Sequence, residues 1–171
     1  KELLNFCTVD LSSFYFDIRK DILYCDEKNS KKRKDCQLLL NIILDSLLKW
    51  FAPILSFTTE EIFKLLNKND SEKSIHLKKL NVFPQSWHNT KLEQNWQRII
   101  DIRNEVNSSI ETMRAEKIIG SSLEANIEIV LDDENYDLGK NYNFSEICIT
   151  SSAKITKAKE KENPIKVNTV K

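Results

Sequence analysis

Basic side chains able to bind phosphate gather in two stretches of this sequence. The first is a run of four consecutive residues, Lys31, Lys32, Arg33 and Lys34. The second is the segment 153–171, which carries six lysines against two glutamates. Acidic residues collect elsewhere, notably in the stretch 132–137. The net charge is zero, but this separation of positive from negative charge is compatible with an anion-binding face.

Cysteine and histidine residues lack the spacing of a metal site or a catalytic pair. The cysteines are Cys7, Cys25, Cys36 and Cys148. None belongs to a CxxC pair, the usual source of zinc ligands. His76 and His88 lie twelve residues apart in a region with no regular pattern. We therefore expect free, buried or half-buried thiols, with no metal ligand and no catalytic residue in this chain.

Glycine is nearly absent, which excludes several kinds of enzyme. With only Gly120 and Gly139, the chain cannot form a phosphate-cradling loop, a dinucleotide-binding fingerprint or a nucleophile elbow. Its longest apolar run, around residues 38–48, is interrupted by Asn41 and Asp45, which argues against a membrane span. The first residues show no signal-peptide pattern. We expect a cytosolic protein.

A first helix is predicted over residues 11–24, where apolar side chains recur at helical spacing. Asp10 is the predicted N-cap. Phe14 and Tyr15 fall on the buried face, whereas Phe16 points elsewhere. The aromatic cluster is therefore expected to be mainly core.

A second, longer helix is predicted to begin after Ser30 and to run for about six turns. Its apolar stripe is broad, so we expect neighbouring elements on two sides. Trp50 falls in that stripe and is predicted to be core. Pro53 ends the helix, because proline removes a hydrogen-bond donor and clashes with the preceding turn.

The next predicted elements are a short helix and a long connection. Thr58 and Glu61 have the capping-box form and open a helix that runs to Leu66. Residues 67–89 lack a regular period and contain isolated apolar residues, which we expect to anchor the connection. A connection this long is often functional or wraps around a bundle.

A long helix is predicted after a second capping box, Thr90 and Glu93. Apolar residues then alternate in steps of four and three for about seven turns, to Lys117. Trp96 lies in this seam and is predicted to be core. Gly120 stands where the glycine after a helix end is expected.

The pattern changes to a period of two after Gly120. Residues 123–131 alternate between apolar and polar side chains, as in a half-buried strand. A short helix is expected around Tyr136 and Leu138, and residues 146–150 (EICIT) are predicted to be a second strand. The last nineteen residues are weakly patterned and are expected to be a mobile or incomplete segment.

These elements predict a mainly α fold, a helical bundle followed by a small α+β appendage. The expected boundaries are 1–119 for the bundle, 120–152 for the appendage and 153–171 for the lysine-rich tail.

Four segments of the sequence resemble one family. They are DLSSFYFDIRKDILYCD, LKWFAPILSFTTEEIF, RNEVNSSIETMRAEKIIGSSLEA, and the pair IEIVL and EICIT. In this order they resemble the C-terminal anticodon-binding domain of bacterial-type isoleucyl-tRNA synthetase, a class I aminoacyl-tRNA synthetase of the anticodon-binding helical-bundle type. The resemblance covers roughly residues 5 to 152.

The resemblance implies a tRNA-recognition module within a larger enzyme. That parent would be an isoleucine–tRNA ligase that uses ATP and Mg²⁺, with a zinc module in some members outside this chain. The family's HIGH and KMSKS signatures do not occur here, so we expect this piece to be non-catalytic, without a cofactor of its own. The implied partners are isoleucine tRNA and the rest of the synthetase chain. We expect a monomer and no membrane partner.

Binding an anticodon arm requires cations along the phosphate path and planar groups beside unstacked bases. The residues assigned to phosphate contacts are Lys31, Lys32, Arg33 and Lys34, the alternative being a solvated helix start. Cations there oppose the helix dipole, which favours another use. Trp87 is the predicted base-stacking residue, the alternative being an anchor for the connection.

The remaining candidates lie along the second long helix. Arg98 and Arg103 could bind phosphate bidentately, or could be structural. Arg103 falls on the apolar seam, where a buried arginine would be structural. Arg114 and Lys117 precede the IIGSSLEA turn, where they could bind RNA or hold the junction with the appendage.

Two other functions remain open. One is the corresponding domain of a valyl- or leucyl-type synthetase, which shares the bundle. The other is a helical protein-interaction module, since a helical bundle implies no particular function. Salt-dependent binding to RNA separates a tRNA-recognition module from the interaction module.

Overall fold

The computed structural model describes residues 1–67, 74–158 and 165–170. It divides into two compact units, Lys1–Trp87 and His88–Lys171, each with its own core. The mainly α class with a small α+β part is confirmed. The boundaries expected above, at residues 119 and 152, stay predictions. None of the described helices is long and apolar enough to cross a membrane.

The first unit begins with one continuous helical stretch. It comprises α1 (Glu2–Asn5), a π-helical segment (Phe6–Phe16) and α2 (Asp17–Cys25). The prediction of Asp10 as an N-cap is wrong, because the helical stretch already begins eight residues earlier. Phe14 and Tyr15 are half-buried, which is less burial than the prediction that they belong to the core. Phe16 is 43% exposed, as expected for a residue outside the buried face.

Helix α3 (Lys31–Phe51) follows the predicted second helix closely. The Ser30 side chain accepts a hydrogen bond from the backbone N–H of Arg33, which confirms the predicted cap. The helix ends just before Pro53. It packs against α2 and α4 (Ser56–Leu66). The prediction that Trp50 is core is wrong, since Trp50 is 38% exposed while Ser46 and Leu48 face inward.

Helix α4 starts two residues before the predicted capping box. Leu55 is its N-cap residue, and Thr58 lies inside the first turn, so the Thr58–Glu61 box is wrong. The helix ends at Leu66 as predicted. Four residues form the small core of this region, Leu48, Ala52, Phe63 and Ile75. After α4, the described chain resumes at Ser74 with two short 3₁₀ turns, Ile75–Leu77 and Gln85–Trp87.

Helix α5 (Thr90–Ala115) is the longest element of the second unit. Its cap is Asn89, whose side chain accepts from the backbone N–H of Leu92 at 2.9 Å. The Thr90–Glu93 box is therefore wrong by one residue. The buried face carries four fully packed residues, Ile99, Ile102, Val106 and Ile110. Trp96 packs against this core, as predicted.

The end of α5 differs from the prediction in one conformational detail. Lys117, not Gly120, adopts the left-handed conformation, with φ of 58°. The backbone N–H of Ile118 bonds to the Met113 carbonyl, and that of Lys117 bonds to the Arg114 carbonyl. This is the Schellman pattern of helix termination, in which glycine is the usual left-handed residue.

The second unit contains a three-stranded sheet, of order β2-β1-β3. The central strand is β1 (Asn126–Leu131), parallel to β2 (Ser152–Lys157) and antiparallel to β3 (Ile165–Val170). Two short helices, α6 (Asp133–Gly139) and α7 (Phe144–Cys148), connect β1 to β2. Such a crossover is what a parallel pair requires. The alternation predicted for β1 is confirmed at Ile127, Ile129 and Leu131, which are buried.

One prediction in the C-terminal part is wrong. Residues 146–150 are not a strand, because Phe144, Ile147 and Cys148 lie at helical spacing and bury one face of α7. Helix α7 ends at Cys148, and its C-cap residue Ile149 is left-handed with φ of 56°. In the described part of the tail, β2 and β3 flank β1 and satisfy its backbone hydrogen bonds, and the mobility expected of the tail stays a prediction.

Candidate nucleic-acid interface

The predicted basic run opens α3, with its lysines exposed. Lys31 Nζ lies 2.6 Å from Asp35 Oδ2 one turn later, with both side chains largely exposed. Lys32 and Lys34 are also exposed. Exposed pairs of this kind contribute little to stability, so the lysines remain able to attract an anion from solvent.

Arg33 serves a different purpose from its neighbours. Its guanidinium donates to the backbone carbonyl of Asp26 at 2.6 Å, and its backbone N–H bonds to Ser30. Asp26 in turn accepts from the Ser30 hydroxyl at 2.8 Å. Arg33 therefore holds the connection between α2 and α3, and the three lysines beside it are the better candidates for phosphate contacts.

The segment 74–87 is tied to α4 at its start. The Glu60 carboxylate accepts from the Ser74 hydroxyl at 2.8 Å and from the Ile75 N–H at 3.0 Å. The hydrogen bond from Ser74, followed by contributions from Lys64 and Ile75, lowers the pKa of Glu60. Ile75 itself is only 2% exposed. The segment is thus fixed by both a polar contact and a buried side chain.

A second tie connects the middle of the segment to α3. The Asn81 amide donates to Asp45 Oδ2 at 2.7 Å and to Ser46 Oγ at 2.9 Å. Lys49 Nζ donates to the Asn81 side-chain oxygen and, at 2.6 Å, to Asp45. Both polar atoms of the amide are therefore paired with groups on one face of α3.

The carboxylate in this network is held in its charged form. Partial burial acts to raise the pKa of Asp45, but hydrogen bonds from Lys49 and Asn81 outweigh it, with help from the charges of Lys49 and Lys78. The pKa of Asp45 consequently lies below its ordinary value.

Two aromatic rings stack beyond this tie. The centroids of Phe83 and Trp87 are 5.6 Å apart, with an interplanar angle of 28°. Trp87 is 58% exposed and Phe83 is 40% exposed. The backbone N–H of Trp87 donates to the backbone carbonyl of Pro84 at 3.0 Å, and this bond closes the turn that carries the indole ring. Of the apolar residues expected to anchor this connection, Ile75 is buried, whereas Leu77, Leu80, Val82 and Phe83 are exposed. Trp87, predicted to stack on a base with anchoring as the alternative, is exposed as well.

In the second unit, two candidate arginines have different environments. Arg103 Nε donates to the backbone carbonyl of Ile147 at 3.0 Å, which ties α5 to α7. Arg98 lies at the surface and pairs with Glu134 at 3.2 Å. The geometry gives Arg103 a structural contact and leaves Arg98 accessible to solvent.

The last two candidates line an open cleft at the end of α5. Arg114 pairs with Glu111 at 2.6 Å, and Lys117 follows in the left-handed position. The cleft has a volume of about 570 Å³ and also contacts Gly120. Its wall contains two cations and one carboxylate, a composition suited to an anion rather than an apolar ligand.

The expectation of buried or half-buried thiols holds for three of the four cysteines and is wrong for Cys25. Cys36 and Cys148 are buried, Cys7 is half-buried and Cys25 is exposed. Burial raises the pKa of the Cys148 thiol to about 12, although the charge of Arg103 opposes the shift. Among the described residues, no three His, Cys, Asp or Glu side chains are grouped so that they could hold a metal ion.

The model of the family described as the anticodon-binding domain of tRNA ligase matches residues 1–129. The chain belongs to this family. All nine candidate residues of the anticodon-binding domain lie inside the matched range, as do Asn81 and Phe83. The match ends within β1, so most of the sheet lies beyond it.

Curated relatives of this anticodon-binding domain are isoleucine–tRNA ligases. The protein from Pelagibacter ubique is 58% identical over 166 residues, which is 97% of this chain and 18% of the relative. That from Agrobacterium fabrum is 41% identical over 153 residues, covering 89% of this chain and 16% of the relative. A third, from Mesorhizobium japonicum, is 36% identical over the whole chain and covers 17% of the relative. The chain thus spans under a fifth of the length of these relatives.

Sequence reasoning missed Asn81 and Phe83 as residues of interest near Trp87 in the chain. Asn81 stands in an irregular stretch, and no local pattern distinguishes it from other surface asparagines. Phe83 was visible as an isolated apolar residue, but its ring pairing with Trp87 depends on the turn between them. The spacing of four residues between two aromatics was the available signal.

Proposed function

We propose that this chain is the tRNA-recognition part of an isoleucine–tRNA ligase and that it binds the anticodon arm of isoleucine tRNA. The observation that carries the proposal is the match to the anticodon-binding family over residues 1–129. The names of the relatives support isoleucine over valine or leucine as the amino acid of the parent enzyme.

The surface of the chain is consistent with RNA as a ligand. Exposed lysines at the start of α3 supply sequence-independent attraction to phosphate, the main source of affinity in protein–nucleic acid binding. Arg98, Arg114 and Lys117 add cations on the second unit. Trp87 offers a flat face to an unstacked base.

The rest of the proposal concerns the parent protein. It would join isoleucine to its tRNA with ATP and Mg²⁺, and any zinc module would lie outside this chain. The present chain would contribute recognition and no catalytic residue. We further propose that it acts in the cytoplasm as part of a monomeric synthetase, in contact with the remainder of that chain.

The direct test is fluorescence anisotropy with labelled isoleucine tRNA, beside the same tRNA carrying a changed anticodon, at two salt concentrations. Tighter binding to the unchanged anticodon, weakened by salt, is the expected result. Equal affinity for the two tRNAs would reduce the role of the chain to backbone attraction. Absence of binding, or binding insensitive to salt, would favour the protein-interaction module.

A lysine variant tests the assignment of phosphate contacts. Replacing Lys32 and Lys34 by alanine is expected to weaken the binding of the cognate tRNA and of the tRNA with the changed anticodon equally. The slope of log affinity against log salt concentration should become shallower by about two. The matched control is Lys20→Ala, whose side chain is 49% exposed and pairs with Asp17 on α2. An equal loss in the control would show that any surface cation suffices.

A further inference from the structure

The segment Ser74–Asn89 has an unusual composition for its chain. It carries Lys78, Lys79 and two histidines, His76 and His88, and no aspartate or glutamate. The whole chain, by contrast, has equal numbers of acidic and basic residues. A stretch without carboxylates is suited to approach a polyanion, because nothing in it repels phosphate.

The aromatic pair within this segment is exposed where such pairs are normally buried. Phe83 and Trp87 stack on each other, yet 40% and 58% of their surfaces contact solvent. Leaving this much aromatic surface in water costs free energy that burial elsewhere must offset. Their near-parallel planes also present a flat face instead of a ring edge.

The pair is not free to collapse, because the backbone before it is fixed to two helices. Glu60 of α4 holds Ser74 and Ile75, and Asn81 is bonded to three side chains of α3. Asn81 lies only two residues before Phe83. Truncating its amide would remove all three contacts at once and free the backbone that carries Phe83.

We propose that Phe83 and Trp87 form a stacking platform for an unpaired RNA base, and that Asn81 is a positioning residue which fixes the platform on α3. This inference deepens the function proposed above and rests on it. It adds the ring of Phe83 to the predicted Trp87 and names the ligand class, a nucleobase in a single-stranded loop. It also assigns Asn81 a role that acts through the platform.

The segment also exposes Leu77, Leu80 and Val82, but its cations favour a base over an apolar protein surface as the occupant. Base stacking uses the face of an aromatic ring and tolerates any base, while neighbouring cations hold the backbone. Lys79, four residues before Phe83 in sequence, is exposed, and Lys78 is half-buried over the ring of Phe63. An apolar partner that covered Lys79 would remove its charge from water, which is costly.

The test uses two RNA probes with the full chain. One is the anticodon stem-loop of isoleucine tRNA, and the other is its stem closed into a blunt duplex without unpaired bases. Trp87→Ala is expected to weaken stem-loop binding by about tenfold, because one base loses its stacking partner. Duplex binding should stay unchanged. Phe83→Ala should act in the same direction.

The matched control is Phe57→Ala. Phe57 is 93% exposed in the same unit and lies at the start of α4, away from the segment in sequence. It should leave both affinities unchanged. An equal loss in Phe57→Ala would mean that any exposed aromatic contributes, which would overturn the platform.

Asn81 is tested by a double-mutant cycle. Asn81→Ala should lower stem-loop affinity and leave duplex affinity unchanged, a selectivity that general unfolding would not produce. Added to Trp87→Ala, it should cost nothing more, because residues that act through one another are not additive. Full additivity would overturn the positioning role of Asn81.

The outcomes separate the inference from the function beneath it. Suppose the chain distinguishes tRNA anticodons, but the Trp87→Ala variant binds the stem-loop as tightly as the unsubstituted chain does. The platform is then wrong and the proposed function stands. If the unsubstituted chain binds the stem-loop and the duplex equally, or binds neither, the platform and the proposed function both fail.

Discussion

Apolar side chains are buried more completely in the second unit, residues 88–171, than in the first, residues 1–87. In the second unit Ile99, Ile102 and Ile129 are all at 0% exposure, in one core shared by α5, β1 and α7. In the first unit the described core cluster has four residues, other buried apolar residues such as Leu11 and Ile18 lie outside it, and Phe57 is 93% exposed and Ile54 is 74% exposed.

This difference separates the parts of the molecule that maintain a fold from those that present a surface. The strand β1 lies between two other strands and shares a core with α5, so its apolar side chains are buried and its backbone groups are hydrogen-bonded within the unit. Helices that leave large apolar side chains in water mark surfaces used for binding. The comparison predicts that equivalent substitutions will have unequal effects in the two units.

The largest expected contrast is in cysteine reactivity. Burial raises the pKa of Cys148 from 9.0 to about 12, so its thiolate is about a thousandfold scarcer than that of an ordinary thiol at neutral pH. Cys25 of the first unit is exposed. Iodoacetamide at pH 8, followed by peptide mass spectrometry, should modify Cys25 and spare Cys148. In urea both should react alike; rapid native modification of Cys148 would contradict a closed core.

A matched isoleucine pair tests the cores directly. Ile129→Ala should lower the free energy of unfolding by about 3 kcal/mol, since it leaves a cavity at the centre of the sheet. Ile54→Ala, at a position 74% exposed, should change it by less than about 0.5 kcal/mol. Urea titration followed by circular dichroism measures both. Equal losses would mean that the first unit is as tightly packed as the second.

Two arginines on α5 distinguish structure from surface within the second unit. Arg103→Ala should cost about 2 kcal/mol, because the Ile147 carbonyl loses a charged donor at 3.0 Å. Arg98→Ala should cost at most about 1 kcal/mol, since both partners of its ion pair are exposed. For tRNA affinity the order is expected to reverse. A larger stability loss in Arg98→Ala would contradict these assignments.

A helix-end substitution separates stability from binding at one residue. Lys117→Gly should raise the free energy of unfolding by about 0.5 to 1 kcal/mol, because glycine adopts the left-handed conformation without a Cβ clash. The control Glu116→Gly, at φ of −76°, should lower it by a similar amount. Thermal unfolding reports both. If Lys117 also contacts RNA, Lys117→Gly will be more stable and bind less tightly.

The smallest expected effect is a pH dependence in the first unit. Because the folded pKa of Asp45 lies below its unfolded value of 3.8, the carboxylate stabilises the fold above that value and loses this contribution as the pH falls through the folded pKa. Asp45→Asn should therefore lower stability at pH 7 and flatten its decline in acid. Unfolding by urea at pH 7 and below pH 4 measures the change. An unaltered acid profile would remove Asp45 from the network.

Part of the fold follows from local pattern alone. Ser30 and Pro53 bound α3 because a hydroxyl cap and a missing amide proton act within one turn of the helix. The seam of α5 and the alternation of β1 follow from the periods at which one face becomes buried. Within the candidate site, the basic run at residues 31–34 and Trp87 could also be picked out from the sequence, because their side chains are of types that bind phosphate or stack on a base.

The rest required the folded chain. Whether residues 146–150 form a strand depends on partners: their helix buries Phe144 and Cys148, while β2 and β3 take the places beside β1. The position of the left-handed residue after α5 was set by the Schellman bonds at Lys117, and the available glycine three residues later was not used.

By itself, then, the sequence determined the limits of α3, the end of α4, which charges cluster, and the family to which the chain belongs. Only the tertiary structure decided which polar groups meet. Asn81 lies 36 residues from Asp45 and 35 from Ser46, and Arg103 reaches a carbonyl 44 residues away. Bonds over such separations leave no periodic trace, since they depend on how whole elements pack and not on the neighbours of either residue.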